Sequence, residues 1–367
     1  MKRIVLAIAA VCTLTAAQAQ DSIAVTPMAP KAPGFNLGSW MKQNKVFQNL
    51  DVSLTAGTTG IGIDVASKIC DYVQLRAGYE YMPRFQKSIY FPVEVGGQPA
   101  RQYDADGNRI ETRFDRLSKI LTEVTGFHVD DEVEMIGKPT VNNFKFLVDV
   151  FPFKENKHWH FTAGFYWGPS QFAYAENSNT AATSLIAVGL YNSMYYHAVN
   201  YLPIYDGYSI IDEEMRDKFI SYGRMGFPIG EFTHDVYGYF PQTVYGEYGE
   251  IIHEEGEYGL IHQKGETYNM EPDTDGTVSV RAKSNSFKPY LGFGYGGRLF
   301  KNRDDWQVSF DAGAMFWGGT PALYTHDGIN LTEDITNARG KVGDWIDLLG
   351  GIKVYPVLSV RFTKTIF

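Results

Sequence analysis

The sequence predicts an all-β protein, an antiparallel transmembrane β-barrel of about eight strands with long, partly helical extracellular loops. Three observations predict this fold. Apolar and polar residues alternate along several segments, as they do in strands that present one face to lipid. The composition, with 24 Tyr, 24 Phe, 6 Trp and 37 Gly, is rich in the residues that membrane barrels use at their interfaces and in their lumen. After the amino-terminal segment, no stretch has the eighteen or so uncharged apolar residues that a membrane helix requires.

The first part of the chain, residues 1–19, predicts a secretory signal peptide. Lys2 and Arg3 form a charged start, an apolar stretch follows through Ala16, and Ala17-Gln18-Ala19 has the small residues of a cleavage site. The mature chain is therefore expected to begin at Gln20.

Residues 20–48 are rich in proline, with Pro27, Pro30 and Pro33, and have neither a helical nor a strand period. They predict an extended periplasmic lead-in or, equally, a disordered tail. After cleavage the one remaining cysteine is Cys70, which excludes an internal disulfide.

Eight segments carry the alternation and are predicted as strands. They are residues 50–57, 61–66, 73–81, 144–150, 159–167, 287–299, 306–316 and 352–363. The connection from Gly57 to Gly60 is tight, so the first two segments are either a hairpin or one long kinked strand.

The connections alternate between short and long, which predicts an orientation. Three are short and polar, at 67–71, 154–158 and 301–305, whereas the long segments cover about 84–141, 175–285 and 319–350. Outer-membrane barrels have short periplasmic turns and long extracellular loops. The chain is therefore expected in the outer membrane, with residues 49–367 forming the barrel and its loops and with the amino terminus in the periplasm.

A soluble β-sandwich is the alternative, since its strands alternate too. Several aromatic residues on the apolar face favour the membrane, because they fall near strand ends, the position of an aromatic belt. These residues are Tyr79, Tyr81, Trp159, Trp167, Trp306 and Phe316.

Two stretches carry a family resemblance: Gly57-Thr58-Thr59-Gly60-Ile61-Gly62, and the aromatic end formed by residues 355–362 and Phe367. With the strand pattern, they resemble uncharacterised Bacteroidetes-type outer-membrane β-barrel proteins, over the strands and not the long loops. The resemblance implies that barrel-assembly machinery reads the last strand, here through Leu358, Val360, Phe362 and Phe367. Phe367 is out of phase with the other three, so either a bulge intervenes or the strand ends near Phe362.

The polar face of the strands carries charges of both signs in nearly equal number. They are Asp51, Asp64, Arg76, Glu80, Lys145, Asp149, Lys288, Arg298, Asp311, Lys353 and Arg361. An eight-stranded barrel has a lumen that side chains fill, and charges removed from water need partners. The pattern predicts a filled lumen. A conducting pore would need further strands, for which residues 235–244 and 277–282 are candidates.

The long loops are predicted to fold into a surface layer, because residues 114–125, 184–199, 209–220 and 332–349 show helical spacing. They are also dense in tyrosine, which suits contact with surface proteins or glycans if exposed. The tyrosines would otherwise pack the loops together. The candidates are Tyr195, Tyr196, Tyr201, Tyr205, Tyr208, Tyr237 and Tyr239.

Other function classes find little support. The net charge of −9 argues against a nucleic-acid partner. The Asp-Gly stretches 104–108 and 273–277 are typical of hairpin turns rather than calcium loops. No nucleophile elbow or His-Glu-x-x-His pair is present. We therefore expect no enzyme, no cofactor and no metal.

These patterns together predict an outer-membrane barrel with a largely filled lumen. Its extracellular loops are expected to bind a surface partner or to contribute to envelope structure. A small-solute diffusion channel is the alternative, and an outer-membrane enzyme is less favoured. The expected partners are outer-membrane lipid, the barrel-assembly machinery and other surface proteins or glycans.

Overall fold

The computed structural model describes residues 47, 49–153, 155–205, 209–240, 243–245 and 250–367. The predicted signal peptide and almost all of the predicted lead-in lie outside these residues. Within them, no helix is both long and apolar enough to cross a bilayer.

The described chain is mainly β-strand, with four helices in its long connections. In chain order the strands are β1 (Asp51–Gly57), β2 (Gly60–Cys70), β3 (Val73–Tyr81), β4 (Lys87–Pro92), β5 (Glu94–Val95), β6 (Gln98–Pro99), β7 (Gln102–Tyr103), β8 (Arg109–Ile110), β9 (Glu132–Pro139), β10 (Asn142–Val150), β11 (Trp159–Trp167), β12 (Gln171–Asn177), β13 (Met225–Phe232), β14 (Val236–Tyr239), β15 (Val244–Tyr245), β16 (Ile251–His253), β17 (Tyr258–His262), β18 (Thr267–Met270), β19 (Ser279–Lys283), β20 (Phe287–Phe300), β21 (Arg303–Phe316), β22 (Ala322–Thr325), β23 (Ile335–Thr336) and β24 (Val354–Thr365). The helices are α1 (Arg113–Thr125), α2 (Asn179–Val199), α3 (Glu213–Tyr222) and α4 (Gly340–Gly351).

Eight of the strands close into an antiparallel barrel in the order β1-β2-β3-β10-β11-β20-β21-β24. Closure comes from β1, which pairs with β2 on one side and with β24 on the other. Gly57 and Gly60 face each other across a two-residue turn, so the first two predicted segments are a hairpin and not one kinked strand. The predicted fold class and strand number are confirmed.

Neither of the candidate extra strands enlarges the barrel. In residues 235–244, β14 pairs with β17 in a separate two-stranded sheet. In residues 277–282, β19 lies in another sheet, between β12 and β22.

The alternation places apolar side chains on the outside of the barrel and polar ones inside. Leu54 on β1 is 63 % exposed, whereas Asp64 on β2 is 1 % exposed. An apolar face turned outward is the reverse of a sandwich core and is what a membrane-spanning barrel requires. The exposed apolar residues of the barrel strands include Ile61, Ile63, Val65, Tyr79, Tyr81, Phe144, Phe146, Trp159, Phe161, Trp167, Phe287, Leu291, Phe293, Tyr295, Phe310, Phe316, Leu358 and Phe362.

The connections separate the barrel into two ends. The short connections β2–β3, β10–β11 and β20–β21 lie at one end, here named the turn end, together with the start of β1 and the finish of β24. The opposite end, named the loop end, carries the three long connections and the β1–β2 turn.

The long connections (82–141, 168–286 and 317–353) fold into what we name the loop domain. Five of its strands form a sheet in the order β4-β9-β12-β19-β22. Each of these strands directly follows or precedes a barrel strand, and the barrel strands concerned have the same order, β3-β10-β11-β20-β21. This sheet, named the outer sheet, therefore continues one side of the barrel wall beyond the loop end.

The helices and a second sheet complete the loop domain. β13 pairs with β5, β18 and β23. α1 begins with a capping box between Thr112 and Asp115 and ends at Gly126, which adopts φ 75°. α2 buries Leu185, Val188 and other apolar residues in the core of the domain. All four predicted helical segments contain helices, although α4 begins only at Gly340.

The last strand continues past Phe362 in an unbroken register to Thr365. Leu358 and Phe362 are exposed on its outward face, in phase with Val360. Phe367 lies beyond the strand, exposed, and its carbonyl oxygen accepts from the Leu50 N–H over 3.1 Å. The register contains no bulge, and the strand ends at Thr365, two residues after the end of the predicted segment.

Candidate functional site

The lumen contains a buried ion network that joins opposite walls of the barrel. Arg361 Nη1 donates to Asp149 Oδ2 over 3.3 Å, and Arg76 Nη2 donates to Asp149 Oδ1 over 2.9 Å. β24, which carries Arg361, and β10, which carries Asp149, lie half-way around the barrel from each other. The Arg361–Asp149 pair therefore crosses the lumen.

A second crossing runs between β3 and β21, which are also opposite each other. Arg76 Nη1 lies 4.0 Å from Asp311 Oδ2, and His160 Nε2 lies 2.6 Å from Asp311 Oδ1. His160 was not among the predicted lumen residues. Its position in the alternation, between the outward Trp159 and Phe161, is the signal that could have identified it.

Lys145 extends the network along β10 toward the loop end. Its ammonium lies 2.9 Å from Asp64 Oδ1 and donates to Glu80 Oε1. Arg76 Nη1 is 3.9 Å from Asp64 Oδ2, which links this part to the crossing pairs. Each charged group named in these contacts is thus placed against at least one group of opposite charge.

Two other predicted lumen residues are buried but lie outside this network. Asp51, near the turn end, accepts from Gln74 Nε2 and Thr365 Oγ1, each over 2.7 Å. Lys288, toward the loop end, has its ammonium 3.5 Å from Asn143 Oδ1, and no ion pair is found for it in the described part of the chain.

Of the remaining predicted lumen residues, Arg298 lines the open turn-end part of the lumen, whereas the prediction is wrong for Lys353, which lies outside the strand. The side chain of Arg298 is 63 % exposed and pairs with Asp304 over 2.9 Å beside the β20–β21 turn. Arg298 still pairs with Gln307, in phase with Gly294 and Gly296, and the register shifts only beyond it, before Phe300. Lys353 is exposed and precedes the first residue of β24.

A group of apolar side chains, named the apolar layer, lies in the lumen beside the network. It consists of Leu147, Tyr166, Tyr290, Met315 and Val357, each at most 3 % exposed. These residues belong to the same buried apolar cluster as the core of the loop domain. The lumen is therefore filled by charged and apolar side chains together.

The turn end is more open. A cavity of about 350 Å³ begins there and is lined by Asp51, Gln74, His158 and other residues. It reaches His160 and Arg361, where the ion network begins.

Lumen glycines make room for the charged groups. A Cβ atom added at Gly78 would collide with the Asp64 carboxylate, and one added at Gly294 would collide with Asp311 and His160. The glycine enrichment of the sequence thus has a specific use at these two positions.

The loop domain gives the predicted contact tyrosines different environments. Four are more than half exposed: Tyr201, Tyr205, Tyr237 and Tyr239. Tyr195 packs against the buried core, and Tyr196 donates from its hydroxyl to Thr243 O over 3.1 Å. Tyr208 lies outside the described residues. The packing interpretation therefore fits Tyr195 and Tyr196, and four candidates lie at the surface.

A buried tyrosine and an ion pair between arginine and aspartate stabilise the loop domain. Tyr191 donates to Gly223 O over 2.6 Å, and burial raises the pKa of its hydroxyl. Arg101 binds Asp131 through Nε at 2.6 Å and Nη2 at 2.7 Å, and these hydrogen bonds lower the pKa of Asp131. Each of these contacts joins two separate parts of the same long connection.

The two Asp-Gly stretches are turns. Asp104 Oδ1 accepts from the backbone N–H of Asp106 and of Asn108, and Gly107 has φ 83° in the β7–β8 hairpin. In the second stretch, Gly276 has φ 77° and donates to Asp273 O over 2.8 Å. In the described part of the chain, no group of three or more His, Cys, Asp or Glu residues is placed to hold a metal.

The loop domain also contains an apolar cavity of about 360 Å³. It lies between the outer sheet, β13 and α4, so all three long connections contribute to it. The lining includes Ile89, Met135, Phe227, Leu323, Ile346 and Leu349. The sequence pattern does not predict this cavity, because its residues are far apart in the chain and only pairing of distant strands brings them together.

Comparisons with known proteins leave the family open. No protein-family model matches the chain, and no curated protein matches it. Among solved structures, the chain is similar to Acinetobacter baumannii CarO2, with 12 % identity, a TM-score of 0.34 and coverage of 88 % of this chain and 100 % of that one. Acinetobacter baumannii CarO gives 12 % identity, a TM-score of 0.33 and coverage of 86 % and 97 %. Likeness at this level carries no argument about function, and nothing in it favours a Bacteroidetes-type family, so that resemblance stays a prediction.

Proposed function

We propose that this protein is an outer-membrane barrel that does not conduct, and that its loop domain binds another component of the cell surface or stabilises the envelope. The observation that carries the proposal is the pair of ion contacts across the lumen, Arg361–Asp149 and Arg76–Asp311. Side chains that meet from opposite walls oppose the passage of solutes, which supports a non-conducting barrel. Function is therefore assigned to the loop domain and not to the lumen.

The distribution of the connections supports an extracellular loop domain. Bacterial outer-membrane barrels place short turns in the periplasm and long loops outside. The β2–β3 and β20–β21 turns are short, whereas the three long connections all leave the loop end. We infer that the turn end faces the periplasm.

The exposed tyrosines support a binding role. Tyr201, Tyr205, Tyr237 and Tyr239 present rigid area with a polar tip, a combination common in protein and glycan interfaces. A purely structural protein has less need of exposed aromatic side chains at its surface.

Planar-bilayer recording tests the proposal. The full-length protein is expected to insert without steady conductance, because the ion network and the apolar layer fill the lumen. Heat-modifiable migration on a gel provides the control, since a folded barrel migrates differently before and after boiling. Steady conductance from protein that passes this control would overturn the proposal and favour a small-solute diffusion channel.

A further inference from the structure

We propose that the apolar cavity of the loop domain binds one acyl chain, with an anionic head group beside Lys87. The inference rests on the proposed function, because it names the chemical class of the surface component that the loop domain binds. It is carried by the lining of the cavity, its size and the position of the lysine.

The lining suits a hydrocarbon chain and little else. Aliphatic and aromatic side chains from the outer sheet, β13 and α4 surround the space, among them Ile89, Phe227 and Ile346. The backbone groups that β4 and β9 turn toward each other are occupied by pairing. A sugar or a peptide bound here would bury polar groups without hydrogen-bond partners, which is unfavourable. A hydrocarbon chain has no such groups.

The volume fits a chain of moderate length. Ligand pockets usually measure about 300–1,000 Å³, and 360 Å³ falls in this range. A cavity of roughly 150 Å³ holds benzene. In proportion, the loop-domain cavity takes a chain of roughly a dozen carbon atoms. Protein interiors contain few voids larger than a water molecule, so an apolar space of this size favours a ligand site.

Lys87 places a positive charge where the cavity meets solvent. It lies on the same face of β4 as Ile89 and Phe91, since side chains alternate along a strand, and all three line the cavity. Lys87 is exposed, and it has no ion pair in the described part of the chain. Phe85, which also lines the cavity, is 62 % exposed at this edge. A carboxylate or phosphate on the end of the chain would meet this free ammonium group.

Gly137 offers a direct way to fill the cavity. It lines the space from β9, and a Cβ atom added there would meet only Lys87 O, at 3.6 Å. In G137L the new side chain would occupy the space proposed for the acyl chain. A175L fills the cavity from β12 and serves as a second variant if G137L does not fold.

Two charge reversals test the head group. K87E places a negative charge at the edge of the cavity. R281E makes the same change of charge on β19 of the same sheet, at an exposed residue that does not line the cavity. R281E is therefore the matched control.

Binding is measured by equilibrium dialysis of radiolabelled dodecanoate against the full-length protein held in an amphipathic polymer instead of detergent. Wild type is expected to bind one dodecanoate saturably, and G137L or A175L at least about tenfold more weakly. K87E is expected to weaken dodecanoate binding about threefold to tenfold and to leave dodecanol binding unchanged. R281E should match wild type with both probes.

The acyl chain has two sources, a free fatty acid and a membrane phospholipid. Protein recovered from phosphatidylglycerol vesicles and then washed identifies the second source if wild type retains one phospholipid and G137L retains none. Dodecanoate binding without retained phospholipid identifies the first. The inference is overturned if wild type shows neither, or if the filled variants and K87E bind as wild type does. The conductance result is independent: a non-conducting barrel without acyl-chain binding would remove this inference alone, whereas a conducting barrel would remove the proposed function.

Discussion

Two arginines of this barrel differ in their environment, because one is buried and the other is exposed. Arg76 is 3 % exposed and contacts Asp149, Asp64 and Asp311. Within the described residues, Arg298 has one ion pair, with Asp304, and its side chain is mostly in solvent. Removing one partner of a buried ion network leaves charges without compensation, whereas an exposed pair contributes little.

A matched pair of substitutions is expected to show this difference. R76L should lower the free energy of unfolding by about 3 kcal/mol or more, because Asp149 and Asp311 lose a cation while remaining buried. R298L should change it by less than about 0.5 kcal/mol. Urea unfolding of the two variants in lipid vesicles measures both values. Equal effects would mean that the lumen is hydrated enough to screen the network.

The alternation predicts which residues enter the lumen but not which of them meet. It placed Asp64, Arg76 and Asp149 inside, as the structure does. The contact between Arg361 and Asp149 joins residues 212 positions apart and depends on closure of the barrel, which period-two spacing does not encode. Arg298 keeps the period but lies at the open turn end of the lumen, so its side chain is exposed, and alternation does not indicate this difference.

At the scale of elements, the β1–β2 hairpin depends on one glycine. Gly60 adopts φ 110°, a region that residues with a side chain rarely occupy, and its added Cβ would collide with Tyr81 O and Met82. Gly107 also has a positive φ, 83°, but its added Cβ meets nothing within 4 Å. Substitutions at the two glycines therefore distinguish the effect of backbone strain from that of steric collision.

We expect G60A to destabilise the barrel by about 2–4 kcal/mol, because strain and collision act together at the junction of β1, β2 and β3. G107A should cost about 1 kcal/mol, from strain alone and within a surface hairpin. The folded fraction after assembly into vesicles, read from gel mobility, compares the variants. Similar losses for both would show that the Gly60 backbone can relax away from Tyr81.

Helices and strands of the loop domain were predicted unevenly. The helices follow local signals, such as the capping box at Thr112 and the apolar spacing of α2. The outer sheet was missed, since β4, β9 and β12 are short and pair across distant parts of the chain. The local spacing of apolar residues is enough to indicate a helix, whereas the stability of a strand also depends on the strand with which it pairs.

For the whole molecule, the membrane explains why the barrel was easier to predict than the loop domain. Lipid contact forces every second residue of a spanning strand to be apolar, so eight strands could be read from the sequence. The loop domain meets no such requirement. Its cavity combines residues from three connections, and nothing in any one of them marks it.

The orientation of the whole molecule is open to a direct measurement. Cys70 is exposed beside the β2–β3 turn, at the turn end, and Tyr239 is exposed in the loop domain. In intact cells, a membrane-impermeant maleimide is expected to leave Cys70 unlabelled, because the turn end faces the periplasm. It should label the double variant C70S/Y239C, whose cysteine lies outside. Lysed cells control for reactivity, since both proteins should then be labelled. Labelling of Cys70 but not of C70S/Y239C in intact cells would reverse the proposed orientation and place the acyl-chain cavity in the periplasm.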